Sequence, residues 1–385
     1  MVGMEAERIR VAIDVSAVPD RPAGAGQYTL ALVTALGARA DVDLTLIARR
    51  EDRSRWAAVA PRARVVAHAP SHRPLRLAWE QTVLPLLVRR LRLDVYHGPH
   101  YTMPELARIP RVVTIHDLTF FDNPEWHERS KVPFFRRAIT VAAKRAAAVI
   151  CVSEQTAERL RIRVPPQAEV FVIPHGVDHD RFRPDAPGGE AVNDAVLNQL
   201  GVHPPFIAFV GTIEPRKSVD HLVRAFDRVA AAHTDLTLVL AGGAGWGVEA
   251  VDRAIAAARH GDRVVRTGYV PDDAVPALLR RAAAVAYPAA QEGFGLPALE
   301  ALACEAPLVT TKGSVMEEMV GDAALLVGPG DTEALAGALD MLVRGDARLD
   351  DRRDLGRVIA GRHTWETCAA AHVEVYRSAA RSRRR

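Results

Sequence analysis

The sequence is poor in several features that mark specialised protein classes. Its three cysteines, Cys151, Cys304 and Cys368, are far apart and odd in number, which indicates neither a disulfide framework nor a zinc site. No apolar run approaches the roughly 18 residues of a membrane-spanning helix. Aromatic residues make up only 5% of the chain, and a net charge of +3 is too small to indicate nucleic-acid binding. We therefore expect a globular protein without a metal site or a nucleic-acid partner.

The chain is otherwise ordinary for a protein with a large core. It has 385 residues, 49% of them hydrophobic and 25% charged, and at roughly 100–200 residues per domain this length predicts two domains. The opening residues MVGMEAERIR lack the apolar core of a signal peptide, so we expect a cytoplasmic protein.

Arginine is abundant and clustered. Solvated helix faces and a frayed terminus are one interpretation, and attraction to an anionic membrane surface or a phosphate-bearing acceptor is the other. The second interpretation would place the protein peripherally at the inner face of a membrane. The clusters consist of Arg73, Arg76, Arg89, Arg90, Arg92, Arg381, Arg383, Arg384 and Arg385.

Short runs of β-branched apolar residues alternate with longer helical patterns, which is typical of a parallel α/β sheet. The runs of the first half are 9–15, 44–48, 65–68, 95–97, 112–115, 148–152 and 170–173. Helical stretches between them include 27–38, 78–91 and 134–147.

A Pro/Gly-rich segment, RPDAPGG at 183–189, then interrupts the pattern and indicates a linker. The alternation restarts after it, with runs at 206–210, 236–241, 264–267, 285–287, 308–310 and 324–327. We therefore expect an α/β protein of two Rossmann-like, doubly wound domains facing each other across a cleft, with ligands at the carboxyl ends of the strands.

The most informative motif is EGFGLPALE at 292–300, which directly follows the strand-like AVAYP. A strand, a glycine-rich turn and a helix with an early proline are expected here. The N-terminus of such a helix suits a diphosphate, and Gly293 and Gly295 would let the backbone approach it closely. Glu292 would then reach a sugar, while Glu300 could accept hydrogen bonds from ribose hydroxyls.

Two glutamates eight residues apart around GFGLP resemble the signature of the retaining family-four glycosyltransferases of the GT-B fold. In that family the first glutamate contacts the donor sugar and the second contacts the ribose. This division of roles implies that Glu292→Gln leaves nucleotide binding nearly unchanged and lowers turnover.

The likeness extends over nearly the whole chain. The segment GTIEPRKS (211–218) resembles the family's GTIEPRKN form, with Ser218 where asparagine is usual. Arg216 and Lys217 follow the first strand of the second domain, where two cations can neutralise a diphosphate. The segments PHGVD (174–178), GYVPDDAVPALLRRA (268–282) and GSVMEEMVGDAA (313–324) continue the likeness.

The first domain carries weaker signals. RPAGAGQYTLAL contains Gly24 and Gly26 at the position of the family's glycine loop, but lacks the third glycine of a dinucleotide-binding loop. His116 and Asp117 end a strand where the family has a His-Asp pair facing the donor sugar. His97, at another strand end, is expected on the acceptor side.

The resemblance thus implies a set of site residues. The catalytic set is His116, Asp117, Arg216, Lys217 and Glu292. The donor-binding set is Gly24, Gly26, Gly211, Arg216, Lys217, Tyr269, Val270, Glu292, Gly293, Phe294, Gly295, Leu296 and Glu300.

The domains implied are 1–182 on the acceptor side, with a helix at 364–380 returning to it, and 190–363 for the nucleotide sugar. The expected reaction moves a hexosyl group, with mannose as the first candidate, from GDP-mannose or a UDP-hexose to a lipid-linked or glycan acceptor. No cofactor is expected beside that substrate. A sugar-nucleotide epimerase or a non-catalytic sugar-nucleotide-binding protein of the same fold is the alternative.

Overall fold

The computed structural model describes residues 8–185, 189–346 and 349–382. The chain divides into two compact units: unit 1 comprises Met1–Gly176 and Trp365–Arg385, and unit 2 comprises Val177–Thr364. The arginine tail Arg383–Arg385 and residues 186–188 of the expected linker lie outside the described residues.

The first division lies nearer the N-terminus than the sequence suggests. Residues 177–182, expected in the first domain, belong to unit 2. The physical reason is their pairing: Val177 N–H donates to the His363 carbonyl at 3.0 Å, and the Arg181 guanidinium donates to the Asp272 carbonyl at 2.5 Å. The composition of the segment 183–189 does not reveal these contacts.

Unit 1 contains a seven-stranded parallel sheet in the order β3-β2-β1-β4-β5-β6-β7. Its strands are β1 Ile9–Asp14, β2 Val42–Arg49, β3 Arg64–Ala69, β4 Val95–Gly98, β5 Arg111–Ile115, β6 Ala148–Cys151 and β7 Glu169–Val172. Its helices up to this point are α1 Ala25–Ala38, α2 Arg53–Val59, α3 Arg73–Thr82, α4 Leu84–Arg90, α5 Thr119–Asp122, α6 Lys131–Arg145 and α7 Glu154–Arg163, with a 3-10 turn at Pro124–Trp126.

Unit 2 contains a six-stranded parallel sheet in the order β10-β9-β8-β11-β12-β13. Its strands are β8 Phe206–Val210, β9 Thr237–Ala241, β10 Val264–Gly268, β11 Ala284–Tyr287, β12 Leu308–Thr311 and β13 Leu325–Val327. Its helices are α8 Glu190–Gln199, α9 Val219–Ala230, α10 Glu249–Ala257, α11 Val275–Arg281, α12 Leu296–Ala303, α13 Val315–Val320, α14 Thr332–Arg344 and α15 Asp350–Arg362. Short 3-10 turns lie at Pro215–Lys217, Gly261–Arg263 and Gly321–Ala323.

Both sheets are Rossmann-like, and all thirteen expected strands are present. The strands read as continuous apolar runs because helices cover both faces of a parallel sheet; every residue of β4, β6, β11 and β12 is buried. In each sheet the strand order reverses beside the first strand, between β1 and β4 and between β8 and β11. In sheets of this type, ligands bind at the carboxyl ends of the strands at this reversal.

The helix expected at 78–91 is two helices, α3 and α4. They meet at Val83, which keeps a helical conformation with φ of −89° and ψ of −42°. Pro85 lies in the first turn of α4 and has no N–H to continue the hydrogen-bond ladder.

The last helix, α16 (Trp365–Ser382), belongs to unit 1 although it follows unit 2 in sequence. Its buried face includes Trp365, His372, Val373, Val375 and Tyr376. The return of this helix, and the burial of its expected apolar residues, agree with the sequence interpretation.

A buried hydrogen-bond chain connects α16 to the centre of unit 1; it consists of the Cys368 carbonyl and the side chains of His372, Tyr28, Thr114, His97 and Tyr376. The proton positions follow from its first member, because a carbonyl only accepts. His372 Nδ1–H donates to the Cys368 carbonyl at 2.8 Å, so its Nε2 accepts from Tyr28 Oη at 2.8 Å. Tyr28 Oη in turn accepts from Thr114 Oγ1 at 2.9 Å.

The same reasoning continues to the other end. Thr114 has given its proton, so it accepts from His97 Nε2–H at 2.8 Å. His97 Nδ1 is then the acceptor for Tyr376 Oη at 2.8 Å. Burial lowers the pKa of His372 to about 4 and the pKa of His97 well below its usual value, so both rings are neutral at neutral pH. The hydrogen-bond chain therefore has a single arrangement of protons in which every one of its groups is bonded.

Tyr376→Phe tests this attachment of α16. It removes the donor to His97 Nδ1 and leaves a buried acceptor without a partner, so we expect unit 1 to lose about 1–3 kcal/mol of unfolding free energy. Scanning calorimetry and urea unfolding measure the loss. Glu374→Gln changes an exposed side chain of the same helix and serves as the control; equal stability of the two variants would contradict the attachment.

Candidate active site

Two loops meet at the carboxyl edge of the unit 2 sheet. One follows β8 and carries GTIEPRK, and the other follows β11 and carries EGFGLP. They are neighbours because β8 lies beside β11, and Ala290 N–H donates to the Arg216 carbonyl at 2.8 Å. The two motifs, more than seventy residues apart in sequence, therefore form one site.

A charged cluster of five side chains occupies this site: Glu214, Arg216, Lys217, Tyr287 and Glu292. Lys217 Nζ lies 2.9 Å from Glu292 Oε1 and also donates to Tyr287 Oη. Tyr287 Oη donates to the same Glu292 oxygen at 2.9 Å. The Arg216 guanidinium pairs with the second oxygen of Glu292 and, at 2.5 Å, with Glu214 Oε1.

The cluster holds Glu292 ionised. Burial alone would raise the pKa of its carboxyl, but the positive charges of Arg216 and Lys217 outweigh burial and lower that pKa to about 2. Lys217 and Glu292 are almost wholly buried, with side-chain exposures of 7% and 11%. Two cations facing two carboxylates give the cluster a formal charge of zero.

Two glycines allow the close packing around the cluster. Gly211 has φ of 147°, and a Cβ there would lie 3.4 Å from Lys217 Nζ. Gly295, with φ of 91°, precedes α12, and a Cβ there would overlap Met316 Sδ at 2.1 Å. The helix thus begins directly after the loop of Glu292, and a helix N-terminus carries a partial positive charge that favours anions.

Glu300 belongs to a different group. It lies in α12, and burial raises the pKa of its carboxyl to about 7; Arg181 opposes this effect, while Asp272 and Asp178 add to it. The two glutamates of the motif therefore differ in the pKa of their carboxyl groups: Glu292 is ionised at neutral pH, and Glu300 titrates near neutrality.

The remaining unit 2 candidates line the same edge of the sheet. Tyr269 follows β10 and is 48% exposed, while Val270 beside it is buried. Gly293 and Phe294 are buried in the loop before α12, and Leu296, the first residue of the helix, is half-buried.

In unit 1, His116 and Asp117 directly follow β5. Burial lowers the pKa of His116, although the Pro99 carbonyl and Asp117 raise it. His116 Nε2–H donates to the Pro99 carbonyl at 2.8 Å, so Nδ1 of the neutral ring is an acceptor. Asp117 Oδ1 accepts from the Thr119 N–H at 3.1 Å and from Thr119 Oγ1 at 2.7 Å.

His97 does not fit the expected acceptor-side role. Its side chain is fully buried, and both ring nitrogens are used in the hydrogen-bond chain, towards Thr114 and Tyr376. Contact with an acceptor would break one of these bonds. Gly24 and Gly26 lie at the start of α1: Gly24 precedes the helix with φ of 50°, and a Cβ on Gly26 would lie 3.0 Å from Pro22 Cβ.

Several polar groups of these edges are not singled out by the sequence. Glu214 and Tyr287 complete the charged cluster of unit 2. In unit 1, Asp14 ends β1 and accepts from Tyr96 Oη at 3.0 Å. Glu80 is buried, and within the described ranges its Oε1 has no hydrogen-bond partner. Burial raises the pKa of Glu80 to about 8. Asp14 and Tyr287 each end a strand. A polar residue at that position is the sequence feature that could have indicated them as candidates.

In the part of the chain that the structure describes, no group of three or more histidine, cysteine, aspartate or glutamate residues could hold a metal ion. All three cysteines are free and buried.

Two family models match the chain. The model for "Glycosyltransferase Family 4" matches residues 22–181, most of unit 1. The model for "Glycosyl transferases group 1" matches residues 197–358, most of unit 2.

Named proteins show the same similarity. The chain is 27% identical over 307 residues to O-antigen chain mannosyltransferase B of Escherichia coli. The match covers 79% of this chain and 77% of that protein. It is 29% identical over 261 residues to the GDP-mannose-dependent α-(1-6)-phosphatidylinositol monomannoside mannosyltransferase of Mycolicibacterium smegmatis. That match covers 64% of this chain and 66% of the relative, just under two thirds of it.

Among solved structures, HepE of Anabaena in complex with UDP-glucose matches with a TM-score of 0.76 and 20% identity. The match covers 96% of this chain and 100% of HepE. At that identity the likeness concerns the fold.

The raised pKa of Glu300 gives a prediction about stability. Its folded-state value of about 7 lies above the ordinary 4.5, so its contribution to stability is complete below that ordinary pKa and is lost as the pH rises through about 7. Glu300→Gln does not titrate. We therefore expect the wild type to lose up to about 3 kcal/mol relative to this variant between about pH 5 and about pH 8.

Urea unfolding of unit 2 at the two pH values measures the difference. Glu249→Gln, which alters an exposed carboxylate of the same unit, is the control. A constant difference between wild type and Glu300→Gln across the range would refute the raised pKa.

Proposed function

The chain belongs to the family-four glycosyltransferases of the GT-B fold, and from this premise we propose that it transfers a hexosyl group from a nucleoside diphosphate sugar to an acceptor hydroxyl, with retention of the anomeric configuration. The acceptor is a growing glycan or a lipid-linked sugar. The observation that carries the proposal is the charged cluster of Arg216 and Lys217 beside the N-terminus of α12.

In this proposal unit 2 binds the donor. Arg216 and Lys217 contact the diphosphate, and the backbone from Gly293 to Leu296 adds hydrogen-bond donors at the start of α12. Glu300 accepts the ribose hydroxyls, and Glu292 contacts the sugar. Tyr269 and Val270 lie at the same edge of the sheet, on the nucleoside side of the donor.

The chemical step needs no group on the protein to bond to the sugar. The bond between the anomeric carbon and the leaving phosphate oxygen breaks, and the acceptor oxygen bonds to the same face of that carbon. The acceptor proton passes to the leaving diphosphate. Catalysis then consists of positioning the two substrates and stabilising the charge that develops on the diphosphate, which Arg216 and Lys217 supply.

Unit 1 supplies polar groups suited to hydroxyls. Nδ1 of His116 is an acceptor, because Nε2–H is already donated to Pro99, so His116 accepts from a sugar hydroxyl. Asp117 orients the same sugar. Asp14 ends β1 at the reversal of strand order between β1 and β4 and suits an acceptor rich in hydroxyls.

Mannose from GDP-mannose is the first candidate donor, supported by the likeness to two mannosyltransferases. A UDP-hexose is the alternative, supported by the likeness to a UDP-glucose complex. A thermal-shift screen with GDP, UDP and ADP selects the nucleotide, because a ligand that binds only the native state raises its melting temperature.

Arg216→Ala and Lys217→Ala test the donor site. Each removes one charged contact to the diphosphate, so we expect binding of the selected nucleoside diphosphate to weaken by roughly 1.5–3 kcal/mol. Calorimetry measures binding, and transfer from the labelled nucleotide sugar measures turnover. Arg253→Ala, an exposed arginine of unit 2, is the control. Unchanged affinity in both variants, or an epimerised nucleotide sugar in place of transfer, would exclude the proposed role.

Peripheral contact with an anionic membrane is part of the proposal. Three exposed apolar side chains, Leu75, Val83 and Leu86, lie along α3 and α4, with exposures of 61%, 47% and 60%. Arg89 and Arg90 are exposed beside them, and Glu80, which is buried, is the sole carboxylate between residues 71 and 93. We name Leu75, Val83, Leu86, Arg89 and Arg90 the α3–α4 surface. Its charge complements anionic lipid headgroups, and each arginine near such a surface contributes about 1 kcal/mol.

The double variant Leu75→Ser/Leu86→Ser tests the α3–α4 surface. We expect the wild type to sediment with phosphatidylglycerol-containing vesicles and not with phosphatidylcholine vesicles, and the double variant to lose most of this binding because the apolar contacts are gone. Ile162→Ser, at a 68% exposed residue between two arginines of α7, should bind like the wild type. Equal binding by all three proteins, or binding to a nucleic acid in place of vesicles, would speak against this surface.

A further inference from the structure

The two cations of the proposed diphosphate site already have partners inside the protein. The Glu292 carboxylate contacts both, with Oε1 at 2.9 Å from Lys217 Nζ and the other oxygen on Arg216. Glu214 takes the second branch of the Arg216 guanidinium at 2.5 Å. The free protein thus places an internal anion where the donor is expected to place its diphosphate.

Both cations already direct donors at groups of the protein. An ammonium has three N–H donors, and Lys217 directs two of them at Glu292 and Tyr287. Lys217 is almost wholly buried, so a phosphate oxygen reaches Nζ only when a neighbour gives way. The carboxylates already cancel both positive charges, and a diphosphate would add further negative charge in a poorly screened interior.

We propose that Glu292 is an internal competitor of the diphosphate: it occupies Arg216 and Lys217 in the free protein, and donor binding displaces it towards the sugar. The proposal rests on the proposed donor site. Displacement gives one side chain two successive roles, because the nucleotide that takes over the cations also releases the carboxylate that contacts the sugar. Glu292 is ionised throughout the neutral range, so the competition is always present there.

This arrangement reverses an expectation drawn from the sequence. The family resemblance implies that Glu292→Gln leaves nucleotide affinity nearly unchanged. The ion pairs instead predict tighter binding, because glutamine keeps the shape but removes the competing charge. We expect the affinity for the nucleoside diphosphate to rise about tenfold or more, which corresponds to about 1.4 kcal/mol. Turnover should fall in the same variant, since the sugar loses its carboxylate contact.

Calorimetry with the selected nucleoside diphosphate, and with the corresponding nucleoside, separates this effect from others. The nucleoside carries no phosphate, so its affinity should be the same for wild type and Glu292→Gln. Asp262→Asn is the matched control, because Asp262 is exposed and precedes β10, at the opposite edge of the sheet from the cluster. That variant loses the same charge and should bind the diphosphate like the wild type.

Glu292→Asp provides a second test that retains the buried charge balance in case Glu292→Gln does not fold. Its shorter side chain draws the carboxylate back from the cations, so we expect an affinity above that of the wild type. Melting curves confirm that each variant is folded.

The outcomes distinguish this inference from the proposed function. Tighter diphosphate binding with unchanged nucleoside binding supports the competition. Unchanged or weaker diphosphate binding in the folded variants overturns it and leaves the donor site standing, provided that Arg216→Ala and Lys217→Ala weaken binding. If neither wild type nor variants bind any of the three nucleoside diphosphates, the proposed donor site fails, and the competition fails with it.

Discussion

Burying a polar group without a partner costs free energy, and in both units a buried polar cluster avoids most of this cost by internal bonding. Unit 1 does so with neutral groups. The hydrogen-bond chain from the Cys368 carbonyl to Tyr376 allows one proton arrangement, because each member gives its proton in the same direction. A chain of this kind has no spare donor for a ligand, and it fixes α16 to the sheet of unit 1.

Unit 2 does so with full charges. Arg216 and Lys217 are balanced by Glu214 and Glu292, and Tyr287 connects Lys217 to Glu292. An ion pair differs from a neutral chain in one respect that matters for function: another anion can take the place of the carboxylate without leaving the cations unpaired. The charged cluster can therefore be stable without a ligand and still accept one.

The architecture could be predicted from the sequence because its signals are local. Runs of β-branched residues correspond to all thirteen strands, and the turn at Gly295 before α12 has a recognisable glycine and proline pattern. The sequence predicts the division between the units a few residues later than the structure shows it. Residues 177–182 join unit 2 through partners that are distant in sequence: Val177 bonds to His363, and Arg181 bonds to Asp272. The amino-acid composition of a segment does not indicate such contacts.

The sequence indicates which candidate side chains stand near the edge of the unit 2 sheet, but it does not indicate how they pair with one another. His97 stands at a strand end like His116, yet its ring is committed to Thr114 and to Tyr376, 279 residues away. Glu292 and Glu300 share one motif, yet Glu292 lies between two cations, while Glu300 lies near two aspartates and one arginine. A motif specifies which side chains are present at an edge. Their protonation, and whether each is free to meet a ligand, is decided by the neighbours that the fold brings to them, and at Glu292 those neighbours are the same cations that the donor requires.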